Sequence, residues 1–95
     1  MITIIATGRV KPEGIDALRG LVMDLVSRSR AEAGNVSYDF YQDLADPAKF
    51  AFVEVWQDQA AIDSHMASPH FQGCMANAGP LWDGPLEIGL YRKQT

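Results

Sequence analysis

The chain has 95 residues, a formal net charge of −4, 47% hydrophobic and 21% charged residues, and one cysteine. One small domain spanning residues 1–95 is expected, with modest capacity to bury a core. The acidic balance and the absence of any run of Lys or Arg argue against nucleic-acid and membrane-surface partners. Cys74 alone forms no internal disulfide. The N-terminus carries no signal-peptide pattern, and no apolar run approaches the ~18 residues of a membrane span. A cytoplasmic, soluble protein is the expectation.

Met1 to Val10, rich in Ile and Thr, predicts a strand. Pro12 and Glu13 then open a helix, since proline suits the first turn and acids complement its dipole. Ile15, Leu18, Leu21, Val22, Leu25 and Val26 recur at helical spacing as one apolar stripe. Gly34 is expected to end this helix as a C′ glycine, giving a span from Pro12 to Ala33 of roughly 33 Å. Val36 to Leu44 and Phe50 to Gln57 read as antiparallel strands joined through Ala45-Asp46-Pro47-Ala48, with Asp and Pro at the first two positions of a type I turn. Asp58 caps a short helix through Met66, and Ser68-Pro69 starts a second helical segment. Leu86 to Lys93 is the last strand.

The order βαββαβ matches a ferredoxin-like α+β fold with a four-stranded antiparallel sheet and helices on one face. In the third strand Phe50, Phe52 and Trp56 point one way while Ala51, Val53 and Val55 point the other. A sheet with one wet face alternates apolar and polar, so both faces are expected to be covered. A homodimer packed through the sheet face would do this.

Glu54 lies between Phe52 and Trp56 on a face expected to be buried, where a carboxylate must be paired, hydrogen-bonded or protonated. His65 follows Ala61 and Ile62 at helical spacing and faces the sheet with them. A neutral imidazole there is a candidate base or proton donor, and Glu54 a candidate partner to hold its tautomer. The simpler alternative for both is a structural, hydrogen-bonded role in the core. His70 and Phe71 fall at the mouth of the next helical segment. Tyr38, Phe40, Phe52, Trp56, Met66 and Trp82 are candidates to line an aromatic pocket. The spacing of the two histidines matches no zinc signature and Cys74 completes none, so no metal is expected. Phosphate-binding loops and a nucleophile elbow are absent.

The run from Gly34 to Phe71, with Gly34-Asn35, Tyr38, Asp46-Pro47, Glu54-x-Trp56, His65 and Ser68-Pro69-His70-Phe71, resembles the antibiotic biosynthesis monooxygenase domain. The resemblance implies a dimeric α+β barrel with a pocket between sheet and helices. It also implies oxidation of phenols or hydroquinones by dioxygen without a cofactor. His65 and Glu54 would then be catalytic, and Tyr38, Phe40, Phe52, Trp56, Met66, His70, Phe71 and Trp82 substrate-binding. The haem-degrading branch of that family typically has an Asn on the first strand, a Trp on the second helix and a His ligand shortly after. This chain has Thr7-Gly8, His65 and Met75 there, and those departures point away from haem. A non-enzymatic binding module and an isomerase or lyase on the same fold are the alternatives, because fold alone does not give function.

Overall fold

The computed structural model describes residues 1–95. Strand β1 (Ile2–Arg9) leads through a 3₁₀ turn at Pro12–Gly14 into helix α1 (Ile15–Arg30). Strands β2 (Asn35–Gln42) and β3 (Lys49–Trp56) follow. Next come helices α2 (Gln59–Met66) and α3 (Pro69–Ala78), a 3₁₀ turn at Gly79–Leu81, and strand β4 (Glu87–Tyr91). The strands form one antiparallel sheet in the order β2-β3-β1-β4. No helix is long and apolar enough to cross a membrane.

The α+β ferredoxin-like order is as expected, but the barrel is not. The sheet stays open, with β2 and β4 as its two edges. Four strands are too few to close around a filled interior, since barrels of this kind need about eight. The expected dimeric α+β barrel is therefore corrected to an open, helix-covered sheet in a single chain.

The helices cover the face that carries Ile4, Ala6, Tyr38, Phe50, Phe52 and Trp56, and Leu18, Val22 and Leu25 of α1 pack into the same core. On the other face Val53 and Val55 are half-buried, while Ile5, Tyr41 and Tyr91 are exposed. The β2–β3 turn forms as its sequence dictates: Lys49 N–H donates to Asp46 O at 3.1 Å and Ala48 N–H to the Asp46 carboxylate at 3.0 Å.

Helix α1 stops at Arg30, before the expected Ala33, and Gly34 is not its left-handed cap. The only positive φ in the chain is at Gly84. Gly34 serves a close approach instead. A Cβ there would collide with the Cβ of Ala61 on α2, so only glycine lets the α1–β2 link lie against that helix. The Gly34 carbonyl also accepts from Gln57 N–H at 2.9 Å, which ties the link to the end of β3.

Candidate active site

Glu54 comes from the middle of β3, with Ile4 and Tyr38 as its cross-strand neighbours. It is only 6% exposed. The Trp56 indole N–H donates to Glu54 Oε1 at 2.9 Å, and the Tyr38 hydroxyl is the second hydrogen-bonding group acting on the carboxylate. Burial dominates and pushes the Glu54 carboxyl up to about 7, although both hydrogen bonds pull the other way. Burial, reinforced by the nearby Glu54 charge, also raises the Tyr38 phenol well above its ordinary value. Tyr38 is thus a neutral donor at physiological pH.

His65 is placed by α2. The Asp58 side chain accepts from Ala61 N–H at 2.8 Å and sets the helix start, which turns Ile62 and His65 inward. The imidazole lies against Trp56, with centroids 4.5 Å apart, and against Phe71 at 5.0 Å. Its Nδ1 is 2.7 Å from Glu32 Oε2. A carboxylate only accepts, so Nδ1 carries the proton and Nε2 is left with a bare lone pair. That Nε2 is buried and has no partner in the protein. Burial lowers the His65 pKa below its ordinary value, against the opposing pull of the Glu32 hydrogen bond. The ring is accordingly neutral.

Glu32 is the residue that sequence reasoning missed. It sits just beyond the end of α1, held through its backbone by Ser29 O and Asn35 N–H. Its Oε2 also accepts from His70 Nε2 at 3.1 Å. His70 enters from α3, whose N-terminus is set by Ser68: that hydroxyl accepts from Phe71 N–H and donates to His65 O. The partner that fixes the His65 tautomer is therefore Glu32, and Glu54 is held by Trp56 and Tyr38 instead. One signal was available. A carboxylate just past a helix C-terminus lies at the unfavourable end of the dipole, which marks Glu32 as needing a compensating partner without saying which residue supplies it.

Between sheet and helices lies a cavity of about 300 Å³. Ile4, Ala6 and Phe52 form its floor, Ile62, Met66, Phe71 and Met75 its helical side, and Leu86, Ile88 and Leu90 its outer wall. Its polar groups come from Tyr38, Glu54, His65 and Gln59. Of the expected pocket residues, Tyr38, Phe52, Met66 and Phe71 line it. Trp56 lies fully buried outside the lining, Phe40 stacks on Phe50 at 5.0 Å, and Trp82 packs near Phe52 and over Gly8. His70 faces a separate depression of about 540 Å³ between α1 and α3, bordered by Asp24, Arg28 and Asn77. That depression is larger but more open, and its lining residues are mostly polar, so the half-open apolar cavity is the better ligand site.

The sequence profile of the antibiotic biosynthesis monooxygenase family matches residues 1–77. The chain belongs to that family. Other relatives agree with this membership. The chain is 36% identical to YcnE of Bacillus subtilis over 88 residues, 93% of each protein. A crystal structure of an antibiotic biosynthesis monooxygenase superposes with a TM-score of 0.96 at 33% identity, covering 100% of both chains. A 4-hydroxy-5-phosphonooxypentane-2,3-dione isomerase (the 4S form) of Salmonella paratyphi B is 35% identical over 54 residues, 57% of this chain and 56% of that one. The proteins this chain is similar to thus include one described as a monooxygenase and one named as an isomerase.

Proposed function

We propose that this family member is a cofactor-independent monooxygenase that oxidises a phenolic or quinol-type aromatic molecule with dioxygen. The observation that supports it most is the bare, buried Nε2 of His65, a residue that lines an apolar cavity together with Glu54. His65 Nε2 removes the phenolic proton, and the electron-rich anion reduces dioxygen. In a phenol with hydrogen at the para carbon, one oxygen atom bonds to that carbon, its hydrogen leaves as a proton and the other oxygen leaves as water, giving a quinone. A hydroquinone instead gives up two electrons and two protons, and dioxygen leaves as hydrogen peroxide. With its carboxyl near 7, Glu54 supplies a proton to the departing oxygen. The apolar walls orient the ring and keep water out. Tyr38, Phe52, Met66 and Phe71 hold the substrate.

The test is oxygen uptake by the pure protein with a panel of hydroquinones and anthrones. Dioxygen-dependent turnover supports the reading. Turnover that persists without dioxygen favours an isomerase, a reading that the named relative and the same acid–base pair make the second choice. Binding of panel members without turnover favours a binding module. We also propose that two copies associate through the open sheet face, because Ile5, Tyr41 and Tyr91 are exposed there. Sedimentation at micromolar protein should give about twice the 10.4 kDa chain mass. A folded monomer at that concentration would overturn this.

A further inference from the structure

On its side away from the cavity, His65 belongs to a second constellation that the proposed chemistry does not exhaust. Glu32 Oε2 lies 2.7 Å from His65 Nδ1 and 3.1 Å from His70 Nε2, and the three donor atoms all lie within 4.8 Å of one another. Three elements deliver them: the α1–β2 link, α2 and α3. We propose that Glu32, His65 and His70 form a binding site for a divalent transition-metal ion of the zinc class.

Two imidazole nitrogens and one carboxylate oxygen are a borderline donor set, which suits Zn²⁺, Co²⁺ or Ni²⁺ better than Mg²⁺ or Ca²⁺. Metal–ligand bonds of about 2.0–2.1 Å in a tetrahedral site hold donor atoms roughly 3.3 Å apart. The observed 2.7 and 3.1 Å contacts need to open by about 0.6 and about 0.2 Å to reach that spacing. The two imidazole nitrogens, within 4.8 Å of each other, need to close by at most about 1.5 Å. The side chains of Glu32 and His70 are each 18% exposed, and His70 borders the open groove between α1 and α3. That groove gives an ion a way in and leaves room for a water as fourth ligand. A cation is also favoured where Glu32 stands, next to the negative end of α1.

Metal binding changes the cavity without entering it. When a metal takes His65 Nδ1, the ring keeps its one proton but carries it on Nε2. The buried Nε2 then carries an N–H donor where it had an acceptor lone pair. The metal would act as an inhibitor of proton abstraction. This consequence rests on the proposed role of His65 as base, whereas the binding itself does not.

The experiment is equilibrium dialysis and calorimetry of the full chain against Zn²⁺ alone, with Co²⁺ as a spectroscopic probe. One ion per chain is expected, with visible d–d bands for Co²⁺ and selective broadening of both histidine ring resonances. His70→Gln and Glu32→Gln should each weaken binding by at least the roughly 10–100-fold that loss of a metal's outer-shell partner costs. Asp24→Asn, in the adjoining groove, should keep wild-type affinity. No uptake, uptake at unchanged affinity in both ligand variants, or broadening that spares the histidines would each overturn the site. The wild-type broadening decides the matter even if a variant fails to fold. If Zn²⁺ binds at the triad but does not slow dioxygen-dependent turnover, the metal site stands and the reading of His65 as base falls.

Discussion

Glu54 and Glu32 are both partly withdrawn from water and both hydrogen-bonded, yet the fold surrounds them differently. Glu54 lies in mid-sheet, and its partners are the neutral indole of Trp56 and the neutral hydroxyl of Tyr38. Neither can carry a compensating positive charge, so desolvation wins and the carboxyl keeps its proton to about pH 7. Glu32 lies at the rim between two imidazoles, groups that can share protons or a metal with it. Neutral donors make a carboxyl a reagent, and imidazole partners make one a fixture that positions its neighbours.

The largest effect should come from the side chain that joins the two environments. His65→Gln is expected to lower turnover by roughly 10²–10⁴, the range for one general acid–base group. Steady-state rates corrected for folded protein would show it. Full activity in a folded His65→Gln protein would separate the carboxylates into two unrelated features.

Next is a pH dependence of stability specific to Glu54. Burial pushes its carboxyl up to about 7 in the folded protein, from the ordinary 4.5, so the native state holds more protons between those values. Stability therefore falls as pH rises through that window, by about 3 kcal/mol in total at 1.36 kcal/mol per unit. Urea unfolding at pH 5 and pH 8 should reveal this loss in wild type and its absence in Glu54→Gln. Equal losses in the two proteins would contradict the contrast drawn between the carboxylates.

Glu32→Gln should cost on the order of 1.5–3 kcal/mol, the value of hydrogen bonds to a charged group, as read from the unfolding midpoint. Long-range proton–nitrogen spectra should show His65 losing its single tautomer. An unchanged tautomer would remove the positioning role of Glu32. Tyr38→Phe should have the smallest effect, about 1 kcal/mol. It should also move the Glu54-dependent stability transition to higher pH, because one of the two hydrogen bonds that favour the carboxylate is lost. A transition that stayed in place would exclude Tyr38 as a partner of Glu54.

The element order was legible because each element carries its own local signal. The Pro12 start, the Asp46-Pro47 turn and the Asp58 and Ser68 caps all act within a few residues. Alternation along β3 put Glu54 on the covered face, and helical spacing put His65 opposite it. Depth was not legible. Alternation tells which way a side chain points but not how far down it lies, so Trp56, Phe40 and Trp82 were expected in a lining they only support. Glu32 escaped because its two partners are 33 and 38 residues away, and no local pattern encodes such a meeting. Gly34 illustrates the same limit: its role depends on Ala61, which is far from it in sequence.

The outer wall of the cavity has a consequence of its own. Leu86, Ile88 and Leu90 reach it from the last strand and its approach, beyond the residues 1–77 that the family profile matches. Ile88 and Leu90 are 62% and 53% exposed, so they contribute little to the core. None of the three is hydrogen-bonded through its side chain to the reacting groups. The outer wall of the cavity therefore lies on a separate stretch of sequence from His65 and Glu54, while Tyr38, Phe52, Met66 and Phe71 line its inner side. Under the proposed function, exchanging a few aliphatic side chains near the C-terminus would reshape the outer wall while His65 and Glu54 stay in place.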